Sequence, residues 1–444
     1  KQTLPGPPGQ PASQPIQSQS PPSPLSKVGP VQIVKQETIH APPGLAQHPK
    51  ELVPLNPEDS TAYRYFSPIC LTWHFQKVLD PKKLQMAMAT TVVQQYPFVS
   101  GLVANPQWHG GPELMEIGGA GDLPVTVLTV PKSALRCYES WLMVSKQVPM
   151  EKTPAGGLIL FQCLYLHSGD PADGCTIMAS FNHVLGDASS FAAFLQVWST
   201  NYTKSLGQAE PIPKPPAIPT FVDADFSDLC TSQIVAKRFR FRAAQLNAAK
   251  HSINATSPDP SIQVSMNDIL MAISCIAVAF FFPVEGREPQ ARISTMVNPR
   301  GRGLPEEYFG NAAMAMDLCI DWGVLSTKNL GTVALALRRA MMDAMDRLQR
   351  AASAGNRLAV VGMSGGNPLV QWNSWSRVPV VGPLFGQPVA QFEWLGVLKH
   401  AAKQAFLVIP SLHDTLILQV ALAPAQMAYL EQLWAKFLTP YQEA

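Results

Sequence analysis

Apolar positions along the chain follow two periods. Leu330, Val333, Ala334, Leu337, Met341, Met345 and Leu348 recur at helical spacing, with Arg339, Asp343 and Arg347 on other faces, which predicts an amphipathic helix. Its methionines read as core filler ahead of any cofactor contact. Asp80-Pro-Lys-Lys-Leu-Gln-Met-Ala-Met-Ala opens another helix, with Pro in its first turn and Tyr96-Pro97 closing it. A third starts at Ser265-Met-Asn-Asp268, which has capping-box spacing. The apolar run that follows, Ile269 to Phe282, is 14 residues between Asp268 and Pro283, short of the roughly 20 that a membrane-spanning helix needs. A buried helix is expected there.

Strand patterns lie between these helices. Leu158 to Leu166 and Cys175 to Phe181 flank Ser168-Gly-Asp-Pro-Ala-Asp-Gly174 and predict a hairpin whose second strand delivers its end to His183. Ala405 to Ile409 and Leu416 to Leu422, joined by Pro410-Ser-Leu-His-Asp414, add two late strands. The pattern as a whole is mixed α/β, with no fixed-period internal repeat.

Length and composition narrow the class. At 444 residues the chain has room for two or three domains at about 100–200 residues each. Apolar residues make up 46% and charged residues 14%, against about 25% charged in a typical chain, so a sparingly charged surface encloses an ordinary core. Lys+Arg 33 against Asp+Glu 31 leaves +2, which offers no broad field for nucleic acid or anionic lipid. The seven cysteines (Cys70, Cys137, Cys163, Cys175, Cys230, Cys275, Cys319) are scattered without a C-x-x-C; neither a disulfide framework nor a metal cluster is expected, and a reducing compartment fits. The sequence begins at Lys1 and shows no secretory pattern. A cytoplasmic monomer is the expectation, or an organellar protein if an upstream targeting segment has been removed.

Residues 1–30 hold nine Pro, five Gln, five Ser and no acidic residue, a composition that predicts a disordered extension. A second Pro-rich stretch, Glu210 to Pro219, has five prolines and reads as an extended connector. The expected division is 1–30 extension, 31–205 first domain, 206–222 crossover linker and 223–444 second domain.

Candidate chemistry centres on Asn182-His183-Val-Leu-Gly-Asp187-Ala188-Ser-Ser190, where a strand stops and an apolar helix begins. An imidazole with an ordinary pKa near 6.5 is suited to taking a proton from a hydroxyl or amine at neutral pH. Taken alone, a histidine with an aspartate four residues on is more often a hydrogen-bonded loop residue, and Asp187 could equally hold the loop through a basic partner. Gly362-Met-Ser364-Gly-Gly366 matches the G-x-S-x-G of a serine-hydrolase elbow, yet Gly365-Gly-Asn-Pro368 breaks the helix such an elbow needs. Glu393 and Asp414, with His400 or His413, are the downstream residues considered to complete a triad. No G-x-G-x-x-G, P-loop or H-E-x-x-H is present.

Further segments follow His183 in order: Met296-Val-Asn-Pro-Arg300-Gly-Arg302, Tyr308-Phe-Gly-Asn311-Ala and Asn373-Ser374-Trp375-Ser376-Arg377. With H-x-x-x-D they resemble the BAHD family of acyl-CoA-dependent acyltransferases, whose pattern continues V-[DN]-x-R, Y-F-G-N and S-W-[SA]-R. Tyr96-Pro-Phe-Val-Ser-Gly101-Leu102 is similar to the family's Y-P-x-x-G-x-L, and the resemblance covers roughly Val31 to Leu438. It implies two similar mixed α/β domains of chloramphenicol-acetyltransferase type, each sheet covered by helices, with a tunnel between them. It also implies acyl-CoA as a co-substrate, a small-molecule acceptor of specialised metabolism, no tightly bound cofactor, no metal and no covalent acyl-enzyme.

Carried over by position, His183 matches the general base, and Asp187 the structural aspartate that turns away to pair with Arg300. Asn373 and Trp375 fall beside the reacting acyl group, and Ser374, Phe385 and Gly386 on the coenzyme A side. The family's D-F-G-W-G appears here as Leu384-Phe385-Gly386-Gln387-Pro388, and its Gly after the motif Asp is Ala188. Three function classes follow: an O- or N-acyltransferase, a BAHD-like partner or regulator without turnover, and a serine hydrolase using Ser364.

Overall fold

The computed structural model describes residues 30–41, 48–54, 68–100, 102–104, 114–119, 123–148, 158–207, 234–282, 288–301, 304–353, 368–395, 404–412 and 414–441. The extension before Pro30, the connector beyond Gly207, Arg302, His400, His413 and the Ser364 elbow lie outside them.

Two six-stranded mixed sheets dominate. The first runs β1 (Lys35–Ile39), β6 (Val125–Thr129), β8 (Phe161–His167), β9 (Cys175–Phe181), β3 (Ile69–Phe75) and β14 (Val389–Trp394). The second runs β10 (Val235–Arg242), β16 (Thr415–Leu422), β15 (Ala405–Pro410), β13 (Val370–Ser374), β11 (Gln290–Val297) and β12 (Met314–Asp321). In each, parallel pairs (β6 with β8; β11 with β13 and β13 with β15) sit among antiparallel ones. A four-stranded sheet adds β2 (His48–Pro54), β5 (Leu114–Gly119), β4 (Leu102–Ala104) and β7 (Leu158–Ile159). Eight α-helices lie among the described residues: α1 (Pro81–Gln94), α2 (Tyr138–Gln147), α3 (Ala188–Ser205), α4 (Ala243–Ala255), α5 (Met266–Ala279), α6 (Trp322–Ser326), α7 (Leu330–Ser353) and α8 (Pro424–Leu438).

Local chemistry accounts for where these elements begin and end. The Asp80 carboxylate accepts from the Lys82 and Lys83 amides and Pro81 occupies the first turn, which starts α1. Ser265 and Asp268 form the reciprocal capping box of α5. From Asp268 to Val278 every side chain of α5 is buried, as expected of a helix that is apolar all round and packed by α4, α7 and α8. The apolar run outlasts the helix: α5 ends at Ala279 and leaves Phe280 and Phe281 on the surface. None of the described helices is long and apolar enough to cross a membrane. The run from Leu158 also divides, since Leu158 and Ile159 join the small sheet while Phe161 onward forms the hairpin with β9.

The division at the connector is crossed by the chain itself. Between β13 and β15 the polypeptide leaves the second sheet, and β14 pairs antiparallel with β3 at the edge of the first. Trp375, Val380, Leu384, Phe385, Val389, Phe392 and Trp394 accordingly belong to the first core. The crossing carries buried charge: Glu393 takes Nη1 of Arg238 at 2.6 Å and Nη2 of Arg240 at 3.3 Å, both from β10. The Arg238 guanidinium also lies 4.8 Å from the centre of the Tyr138 ring, and burial pushes that phenol up to about 12.

A second buried polar group is neutral. His74 on β3 is fully enclosed; its Nε2 accepts from Nε of Arg136 at 2.8 Å, which leaves Nδ1–H to donate to Oγ1 of Thr176 at 3.0 Å. Thr176 in turn donates to the Leu135 carbonyl at 2.7 Å. Loss of hydration, and then the Arg136 charge, push the imidazole down to about 3. The unfolded histidine protonates near pH 6.5 while the folded one resists, so stability present above that pH is lost as pH falls. Chemical denaturation should show a loss of about 2 kcal/mol from this group on going from neutrality to about pH 5. His74→Gln should flatten that dependence, and an equal slope in both proteins would refute the assignment.

Candidate active site

His183 owes its position to three tight backbone features in succession. Asn182 ends β9; its amide donates to the Leu160 carbonyl and its side-chain oxygen accepts from the Val184 amide, which turns the chain into a single 3-10 turn over His183–Leu185. Gly186 follows at φ +148°, where a Cβ would lie 2.6 Å from that of Ser190, so only glycine fits without displacement. Asp187 then caps α3 by accepting from the Ser189 and Ser190 amides. Ala188 is the first helical residue and has no positive φ, so the methyl in place of the family's glycine brings no backbone strain.

The Asp187 carboxylate is saturated. One oxygen holds the two helix amides at 3.1 Å; the other accepts from Nη1 of Arg300 at 2.9 Å and from the Ala312 and Ala313 amides at 3.0 Å each. Arg300 uses its other donors on the Tyr308 carbonyl at 2.7 Å, the Gly310 carbonyl at 2.9 Å and the Ser190 hydroxyl at 3.0 Å. Both side chains are buried. The loop of the first half and residues 298–301 and 308–313 of the second are thereby joined by hydrogen bonds. Phe309, between them, sets its ring 4.9 Å from Tyr96 and 4.8 Å from Phe98, so the Tyr96-Pro-Phe and Tyr308-Phe-Gly-Asn segments meet in space.

His183 as a whole residue is partly exposed, with protein packed around nearly all of its titrating group. Loss of hydration lowers its pKa below the ordinary 6.5, opposed by the Asn311 hydrogen bond and the Asp187 charge. The imidazole is therefore neutral at pH 7 and able to accept a proton. Asn311 contacts it from the loop ahead of β12: its Nδ2 donates to the His183 carbonyl at 2.6 Å and its Oδ1 lies 3.5 Å from Nδ1. Sequence reasoning quoted Asn311 within its motif but gave it no role; nothing in its spacing from His183, 128 residues away, links the two.

The remaining expected site residues fall in two other places. Asn373 and Ser374 end β13, half-buried, with the Ser374 hydroxyl 3.0 Å from that of Ser376. The Trp375 indole packs 5.7 Å from Trp394 and is 8% exposed. Phe385 is a correction. Its ring is fully buried 4.9 Å from Trp198, 5.7 Å from Tyr202 and 6.0 Å from Phe75, and its amide donates to the Ser199 hydroxyl. It has no surface to offer a nucleotide. Leu384 and Gln387 exchange both backbone hydrogen bonds around Phe385 (φ +54°) and Gly386 (φ +73°), a two-residue turn with positive φ at both central positions. Left-handed backbone at Phe costs about 1–2 kcal/mol, which burial of an aromatic ring, worth about 3 kcal/mol, offsets.

Among the described residues no group of three or more His, Cys, Asp or Glu side chains is placed to hold a metal ion. Solved structures match the fold over most of its length. TRI101 of F. sporotrichioides, complexed with coenzyme A and T-2, aligns at TM-score 0.63 with 15% identity, over 87% of this chain and 98% of its own. Vinorine synthase aligns at 0.59 with 16% identity, over 92% and 98%. The chain has their fold. Both are BAHD acyltransferases, the family that the motifs resemble. The epimerization domain from the third module of tyrocidine synthetase B also matches, at TM-score 0.58 and 13% identity over 91% and 98%, so the fold serves more than one chemistry and activity has to be argued from the site. No protein-family model and no curated protein matches the sequence.

Two outcomes are expected. Asp187→Asn sets an NH2 or a neutral oxygen against five donors, and breaking a buried ion pair of this kind should lower stability by about 3–5 kcal/mol; an unchanged guanidinium midpoint would refute the linkage of the two loops. Phe385→Ala should cost about 3–5 kcal/mol, with Phe385→Leu milder; equal guanidinium midpoints for wild type and Phe385→Ala would refute its place in the first core.

Proposed function

We propose that the chain is a BAHD-type acyltransferase that moves an acyl group from acyl-CoA to a hydroxyl or amine of a small-molecule acceptor, with His183 as general base. The observation that carries this reading is the saturated Asp187–Arg300 pair. It occupies the acid completely, so the histidine beside it is left neutral, partly open and fixed where loops from both halves meet. A triad built on His183 would need that carboxylate on the imidazole, and it is engaged elsewhere.

The step follows from these groups. His183 takes the proton from the acceptor as its oxygen or nitrogen bonds to the thioester carbonyl carbon. The carbonyl oxygen gains the negative charge, and collapse of the tetrahedral centre breaks the C–S bond. The coenzyme A thiolate then takes the proton back from the imidazolium. Asn373, half-buried at the end of a parallel strand, is the polar side chain assigned to the oxyanion, a contribution of about 3 kcal/mol where the donor is well aimed. Trp375 supports that strand end through Trp394, and Ser374 with Ser376 offers hydroxyls toward the coenzyme. Leu384 to Pro388 acts as a packing turn, so the loss of the family's D-F-G-W-G leaves a folded strand connection.

His183→Ala should lower acyl transfer, followed as free thiol release across a panel of acyl-CoAs and acceptors, by about 10²–10⁴-fold, with coenzyme A binding retained. The base must be neutral to work and its pKa lies below the ordinary 6.5, so kcat/KM should be lost as pH falls through a single group under that value. Well-folded wild type that neither binds coenzyme A nor releases thiol would instead identify a partner protein without turnover. A trapped acyl-enzyme on Ser364 would identify a hydrolase.

A further inference from the structure

At the end of β11 and β12 far from the Arg300 loop lies a cavity of about 370 Å³, at the small end of the roughly 300–1,000 Å³ typical of ligand pockets. Glu288, Gln290, Arg292, Cys319 and Asp321 line it. The strand register gathers them: Gln290 stands opposite Asp321 and Arg292 opposite Cys319, and directly opposed residues share a face of the sheet. The alternate residues Ala291, Ile293, Leu318 and Ile320 are buried in the second core, so the cavity wall is polar. Six residue steps from Arg292 to Asn298, at about 3.3 Å each, put the guanidinium-bearing position about 20 Å from the loop that meets Asp187. The cavity is therefore separate from the candidate active site.

Arg292 is loosely held at its charged end. Its side chain is 20% exposed, and the carboxylate oxygen facing it, Oδ2 of Asp317, stands 3.8 Å from Nε, beyond hydrogen-bond range. That enclosed Nε–H has no hydrogen-bond acceptor. The two lining acids are better placed. Asp321 uses one carboxylate oxygen to cap α6 at the Gly323 amide and keeps the other, and the Trp322 indole donates to the Glu288 carbonyl at 3.0 Å, which fixes the backbone under the second acid.

This arrangement of charge selects a ligand. A simple anion drawn to the guanidinium would meet the Asp321 and Glu288 carboxylates, with Asp317 behind them; a simple cation drawn to the carboxylates would meet the guanidinium. Either is repelled by part of the wall. A molecule with one anionic and two cationic groups pairs with the three lining charges one to one. We propose that this cavity binds a basic α-amino acid, with its carboxylate on Arg292 and its two cationic groups on Asp321 and Glu288. The planar guanidinium matches the two oxygens of a carboxylate, and the Gln290 amide can donate or accept beside it. The proposal stands independently of the acyl-transfer reading.

Calorimetric titration of the full chain with L-lysine tests it without any turnover. Cadaverine, which lacks the carboxylate, and norleucine, which lacks the side-chain amine, should each bind about 10–100-fold more weakly than L-lysine. Iodoacetamide labelling, read by peptide mass spectrometry, reports the location because Cys319 is an exposed free thiol on the cavity wall. At about ten times its Kd, L-lysine should slow alkylation of Cys319 about tenfold and leave Cys137, a partly exposed thiol of the first half, unaffected. Arg292→Gln should abolish the protection, and Glu288→Gln should reduce the affinity for lysine to that for norleucine. The ligand series on wild type decides the matter even where a variant folds poorly. Cadaverine binding as tightly as lysine would reveal an unselective acidic patch and overturn the proposal; so would lysine bound without protection of Cys319, or neither heat nor protection at about 10 mM lysine.

Discussion

A single buried carboxylate organises this molecule where its halves meet. Asp187 accepts two amides from the start of α3, two from the loop ahead of β12 and a guanidinium from Arg300. A charge taken out of water is costly unless every lone pair finds a donor, and here they do. The turn that exposes His183, the cap of α3, the place of Phe309 among the aromatics of the first core and the fixed station of Asn311 all depend on that saturation. Glu393 with Arg238 and Arg240 repeats the device where β14 crosses between the sheets. Both joins are polar and directional, which sets an angle between the halves that apolar contact alone would leave loose.

What could be read in advance was whatever is local in the chain. Asp80 and Ser265 mark their helix starts because a capping side chain reaches only two or three residues. The hairpin of β8 with β9 and the stripe of α7 are likewise short-range patterns. The order of the strands was not legible, and β14 shows why: nothing in Val389 to Trp394 names β3 as partner. The end of α5 was misjudged for a related reason, since Phe280 and Phe281 extend the apolar run after the helix has turned out of the core.

The site divides along the same line. The motif order brought out His183, Asp187 and Arg300, which the structure does gather. It carried Phe385 to the coenzyme side because a motif position records which residue stands there and not which way the backbone turns it. The positive φ at Phe385 points the ring into the first core. Asn311 went unassigned for the converse reason: its relation to His183 exists only after the two halves have closed.

The excursion of β14 makes the two halves inseparable as folded objects. Without it, the first sheet ends at β3 with open hydrogen-bonding groups along its edge and the first core lacks the side chains that Leu384 to Trp394 bring to it. Neither half of the polypeptide is therefore an autonomous building block. A backbone cut in the connector between them would leave two fragments that reassemble through an exchanged strand, in the manner of split-protein complementation. The same exchange makes their mutual orientation part of the folding reaction itself.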